Sequence, residues 1–172
     1  MYQYSFANVD LILEMDYPNT QNPTKFKVTG YAAGENLINI ARRAPIATTQ
    51  FGAYGDMVVS MQRIRAGDMT FSVLMNAPEN KYMQDFANYF QEQADADGKL
   101  VTPIQAKLVD NMGKDVCDMT NGVILAMPAM SRGQTMNIVT WVVSFEKVIF
   151  DRNTGGDLDQ AGALTGSPST FV

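Results

Sequence analysis

The chain has 172 residues, enough for one domain with a sizeable core, and a net charge of -5. It contains no histidine and one cysteine, Cys117, which removes Ser-His-Asp chemistry, histidine metal sites and any intramolecular disulfide, and which fits a reducing compartment. The longest basic cluster is Arg42-Arg43, too little to neutralise a run of phosphates, so static nucleic-acid binding is not expected.

Hydrophobic residues make up 46% and charged residues only 18%, below the ~25% charge typical of soluble domains. Such a chain either hides surface against neighbours or has a large core under a polar, uncharged surface. No basic n-region and apolar h-region open the sequence, and no apolar run reaches the ~20 residues needed to span a bilayer, so a soluble protein is expected.

Val9, Leu11, Leu13 and Met15 alternate with mostly polar neighbours, the period of a half-buried strand. Tyr17 to Thr24 reads as a loop, Lys25 to Tyr31 as a strand and Leu37 to Arg42 as a short strand. Ala44 to Gly55 reads as an extended arm or loop. Two alternating runs, Met57 to Met61 and Met69 to Met75, predict a hairpin turning at Arg65-Ala66-Gly67-Asp68.

One helix is expected at about 77–97. Asn76 is a candidate N-cap, Glu79 its capping-box partner and Pro78 a first-turn residue. Tyr82, Met83, Phe86, Ala87, Phe90 and Ala94 share one face, and Lys81, Asp85, Asn88, Gln91 and Glu92 the other, with Gly98 as the stop. Strands resume at Ile104 to Val109, Asp115 to Met119, Val123 to Met127 and Gln134 to Phe150. The last is lined by Val139, Trp141, Val143 and Phe145 on one face and Thr140, Ser144 and Glu146 on the other. The fold class is mainly β: an antiparallel β-sandwich or barrel of about eight strands with one flanking helix. The β-domain covers 1–151, and a Gly/Ser/Thr-rich extension, 152–172, lacks the apolar density to fold alone.

Motifs that could carry chemistry are weak. Gly52-Ala53-Tyr54-Gly55 is no phosphate cradle, because no helix with a lysine follows. Asp151 to Asp157 resembles the start of a calcium loop, but Gly155 and Gly162 stand where acidic ligands are wanted. Asp115, Cys117 and Asp118 form no reactive group, since nothing nearby would lower the thiol pKa. Asp85, Glu92, Asp95 and Asp97 give the helix an acidic side, read as solvated or as a surface facing passing DNA. The 12 methionines, among them Met57, Met61, Met69, Met75, Met127, Met130 and Met136, are core or gap-filling residues with some adaptable contacts. No catalytic, cofactor-binding or metal residue is assigned, and no cofactor is expected.

The order of these segments resembles the tail tube proteins of bacteriophages with contractile tails. The resemblance rests on Tyr4-Ser5-Phe6-Ala7-Asn8-Val9, Gly34 to Arg43, Gly52 to Asp56 with Gly67 to Val73, Asn76 to Asn80, and the final strand with Trp141. It covers about Met1 to Asp151 and implies a structural virion protein of the tail, assembled in the host bacterial cytoplasm and not an enzyme. It further implies hexameric rings stacked into a tube, with sheath, tape-measure, baseplate and terminator proteins as partners. Viral DNA would pass without specific binding along an acidic lumen. The alternatives are a subunit of a type VI secretion tube, which shares the fold, and a small-ligand-binding β-barrel marked by an internal pocket.

Overall fold

The computed structural model describes residues 9–16, 21–32, 37–97, 103–111, 116–129, 133 and 137–151, with the side chains of 94–97 left out. Among these residues the chain forms nine strands and one helix. They are β1 (Val9–Glu14), β2 (Lys25–Lys27), β3 (Ile38–Arg42), β4 (Ala47–Phe51), β5 (Met57–Met61), β6 (Gly67–Leu74), α1 (Pro78–Asp97), β7 (Ile104–Asp110), β8 (Val116–Ala126) and β9 (Ile138–Asp151).

Seven strands form one antiparallel sheet in the order β2-β1-β7-β8-β9-β6-β3, and β4 and β5 form a separate ribbon. The alternation read from the sequence sets which face is inward. Leu11, Leu13, Met69, Phe71, Val73, Val139, Trp141, Val143 and Phe145 all point into one buried cluster. The sheet curls. The segment after β2 donates Val28 N–H to Leu11 O at 2.8 Å beside β1, and two residues later Leu74 N–H donates to Gly30 O at 2.8 Å in β6. Tyr31 then bridges to Val73. Because β1 and β6 are separated by three strands, this crossing ties together the two sides of the sheet and closes it around the core.

α1 covers the opening. Met83, Phe86 and Ala87 are buried, and Tyr82 meets Phe26 of β2 edge-on at 5.2 Å between centroids. Pro78 is the first helical residue, where its missing N–H costs nothing. The expected capping box does not form. The Glu79 carboxylate instead accepts from Thr29 N–H (2.7 Å), Thr29 Oγ1–H (2.7 Å) and Gly30 N–H (3.3 Å), binding the helix start to the crossing segment. Gly30 is required there, since a Cβ would lie 2.3 Å from Ala77 Cβ. Trp141 Nε1 donates to Asn80 Oδ1 at 3.0 Å, so the buried indole is satisfied from the same turn.

Three expectations are corrected. Arg65 to Asp68 is not a turn: β5 and β6 do not pair with each other but follow in one direction, pairing with β4 and β3 respectively. The reversal lies at Gly52 to Asp56, where Gly52 N–H donates to Asp56 O at 2.7 Å and Gly55 sits at φ 88°. The alternating methionines on both flanks of Arg65 imitated two arms of a hairpin when they were two segments of one arm. The second correction joins Val116 to Ala126 into one strand. Between the two expected strands the chain only kinks, with Asn121 at φ 57°. Gly122 makes room for Phe145, whose ring would be 2.4 Å from a Cβ there. Third, Lys25 to Tyr31 leaves its strand after Lys27 to make the crossing. Asn8 and the residues before it, Asp115, Gly98, Met130, Met136 and the extension 152–172 lie outside the described residues.

Candidate assembly interface

Among the described residues, β4 and β5 are the least buried strands. Every residue of β5 is exposed, as are four of the five in β4. The composition is that of a strand core, however: Ile46, Phe51, Tyr54, Met57, Val58, Val59, Met61 and Ile64 are all exposed large apolar residues. Phe51 is 72% and Tyr54 97% accessible. Cross-strand partners share a face of a ribbon, so the register Ala47↔Met61, Thr49↔Val59 and Phe51↔Met57 assembles one apolar face. The other face carries Thr48, Gln50 and Ser60 with Val58.

The root of this arm is fixed to the sheet. Arg43 N–H donates to Ala66 O at 3.0 Å, and Val148 N–H of β9 donates to Arg65 O at 2.8 Å. The Arg42 guanidinium donates to Val148 O at 3.0 Å and lies 5.7 Å from the Phe150 ring centre. Arg43 pairs with Asp68 through Nη2 at 2.7 Å and Nε at 2.8 Å. The Arg43 hydrogen bonds, helped by Ser144, hold the Asp68 carboxyl below its ordinary value against a partial burial cost. Ser144 lies on the face expected for it, with Thr140 and Glu146, but is buried beside Asp68.

Three lysines of the sheet are matched by carboxylates. Lys25 reaches Glu14 at 4.0 Å, Lys107 reaches Asp118 at 3.7 Å, and Lys27 contacts Asp10, whose carboxyl is lowered chiefly by that hydrogen bond. The acidic excess of the sequence sits instead on α1, where five acids stand against the single base Lys81. Of the predicted acidic side, Glu92 is exposed, while Asp85 is half-buried and accepts from Asn22 Nδ2 at 2.8 Å; Asp95 and Asp97 have undescribed side chains.

A cleft lies at the far end of β9 from the arm, lined by Met75, Asn80, Met127, Pro128, Ile138 and Trp141. Its Asn80 is already engaged, accepting from Trp141 and donating to Met75 O at 3.2 Å. The Cys117 thiol is buried, and burial with the neighbouring Asp118 charge pushes it up to about 11, which keeps it protonated at neutral pH. Among the described residues no group of three or more acidic, cysteine or histidine side chains is placed to hold a metal ion.

The class of protein follows from comparison of this fold with solved structures. It is similar to the tube-terminating cap of an anti-feeding prophage, at a TM-score of 0.52 and 12% identity over 88% of this chain and 93% of that one. It is equally similar to a chain of the sheath-tube complex of an extracellular contractile injection system, at 0.52 and 10% identity over 88% and 93%. A chain of the sheath/tube terminator of that system matches at 0.53 and 11% identity, over 88% and 98%. The architecture is therefore the tail-tube fold. The sequence is more specific: residues 1–152 match the family of the bacteriophage PhiTE tail tube protein, and the chain belongs to that family. Comparison with curated proteins finds no match.

Proposed function

We propose that this protein is the structural subunit of a phage inner tail tube, built of stacked hexameric rings and serving as a passive, non-enzymatic conduit for the genome. The observation that carries this reading is the rooted apolar arm on a chain of the tail tube family. Eight exposed large apolar side chains on and beside a two-stranded ribbon are a poor design for a lone subunit and a good one for an obligate contact. The ribbon's own pairing defines it within the single chain, so assembly has only to cover it.

Passive passage requires a wall that does not hold phosphates. The pairing of Lys25, Lys27, Lys107 and Arg43 with carboxylates leaves few free cations on the sheet, and a ring multiplies the charge of -5. We place the acidic potential at the lumen and a sheath around the outside, with tape-measure, baseplate and terminator proteins at the ends. Assembly takes place in the host cytoplasm, and the extension 152–172 contributes contacts between subunits.

Native mass spectrometry tests the ring directly. Species in multiples of six 19.0 kDa subunits are expected, and a series with another repeat overturns the hexamer. Assembled material should not retain duplex DNA at low salt; retention that weakens steeply as salt rises would contradict the acidic lumen.

A further inference from the structure

The cleft at the far end of β9 presents apolar surface that the other described residues do not cover. Met127 and Ile138 are exposed on it, at 39% and 55%, beside Met75, Pro128 and Trp141. Asn80 is already bonded to Trp141 and Met75. The two thioethers favour an aromatic occupant, since sulfur packs well against a ring.

One stretch of the chain is long enough to return to this cleft. β9 ends at Asp151, thirteen residues beyond Ile138, which is about 43 Å at the usual rise of a strand. Residues 152–170 contain four glycines and two large apolar residues, Leu158 and Leu164, and the adjacent apolar pair Phe171 and Val172 follows. Length alone separates these candidates. At ~3.3 Å per residue from Asp151, Leu158 reaches ~23 Å and falls short, Leu164 reaches ~43 Å only when fully stretched, and Phe171 reaches ~66 Å with slack.

We infer that Phe171 and Val172 seat in the cleft of their own subunit, with the Phe171 ring against Met127 and Ile138. This goes beyond the tube reading and does not depend on it. The tether decides between a subunit's own cleft and a neighbour's. A Gly-rich linker of about 20 residues has a root-mean-square span of ~25 Å, which places Phe171 at its own cleft with an effective concentration on the order of 0.1–1 mM. In a solution of about 1 μM subunits, a second copy's cleft is about a hundredfold scarcer or more, so each subunit fills its own. In an assembly the neighbouring clefts are crowded together, and the same residues exchange into contacts between subunits. The seat thus covers apolar surface on the unassembled subunit.

Methionine oxidation by dilute hydrogen peroxide, on the full chain at about 1 μM and read by peptide mass spectrometry, tests the seat. Met127 in Phe171→Ser/Val172→Ser should oxidise at least about fivefold faster than in wild type, with buried Met69 and Met119 slow in both and exposed Met57 and Met61 fast in both. Equal Met127 rates overturn the seat. Disulfide formation then locates the occupant, the native Cys117 being buried. Phe171→Cys is combined either with Ile138→Cys at the cleft or with Lys147→Cys, which is exposed and nearer the start of the extension. A tether without a seat closes faster on the nearer position. A seated one reverses that order, the pair at 138 and 171 closing at least about tenfold faster, within one subunit and at a rate independent of concentration. Faster closure of the pair at 147 and 171, or a disulfide from position 138 that joins two subunits, overturns the proposal. Neither readout depends on tube formation.

Discussion

Glu79 joins the helix to the sheet by one carboxylate, so its removal should be felt by the whole fold. It is 3% exposed, and Oε1 alone receives three donors. Hydrogen bonds to a charged group are worth ~1.5–3 kcal/mol each, but they are not additive, and Thr29 lies at the surface where its freed groups can meet water. We therefore expect Glu79→Ala to cost about 2–3 kcal/mol, a fall of roughly 4–12 °C in Tm for a chain of this size. Glu79→Gln keeps an acceptor without the charge and should lose about half as much. Burial raises the Glu79 carboxyl, but the Thr29 and Gly30 donors outweigh it and the folded value lies below the ordinary 4.5. A depressed carboxylate contributes stability that is complete above its unfolded pKa and is lost as pH falls through the folded pKa. The gap between wild type and Glu79→Gln should thus be full at pH 7 and shrink below about pH 4. Circular-dichroism melts at a concentration where the subunit is unassembled measure this. A Glu79→Ala melting point within 1 °C of wild type (about 0.3 kcal/mol), or a Gln gap unchanged down to pH 3, would refute the reasoning.

Other consequences are local. Gly122→Ala places a methyl against the Phe145 ring and should destabilise by ~1–3 kcal/mol, read as a lowered urea midpoint; a neutral result would mean the ring turns aside freely. Val59→Glu should change subunit stability by less than ~0.5 kcal/mol, because the side chain touches little, while abolishing assembly measured by light scattering. Ser60→Glu, on the ribbon's other face, should assemble like wild type; equal loss in both variants would contradict a one-faced contact. The buried, protonated Cys117 should react with a maleimide at least a hundredfold more slowly in native buffer than in urea, and rapid native labelling would contradict its placement.

Much of the fold was legible because one face of the sheet is buried and a strand has a period of two. Leu11 with Leu13, Phe71 with Val73, and Val139 through Phe145 declared their inward side without any knowledge of pairing. The helix was legible for the corresponding reason, with Met83, Phe86 and Ala87 at its spacing. What failed were the places where a long-range partner decides the local geometry. Glu79 has the right spacing for a capping box, but Thr29, fifty residues earlier, captures its carboxylate. Asn121-Gly122 carries a turn signature, but Phe145 on the facing strand needs the space. The arm was legible in composition and illegible in pairing: β5 alternates like a strand with a core to face, and within one chain it has none. The cleft at the far end of β9 draws on Met75, Asn80, Met127 and Ile138, residues too scattered in sequence for any spacing rule to gather.

The central claim is that copies of this chain build a hollow tube, and negative-stain electron microscopy of the purified protein across a concentration series tests it most directly. Hollow tubes or six-membered rings should appear as concentration rises, and Val59→Glu should yield no stacked tubes under the same conditions. Tubes formed equally well by Val59→Glu, or compact monomers at every concentration even when wild-type protein is seeded with preformed tail ends, would contradict it.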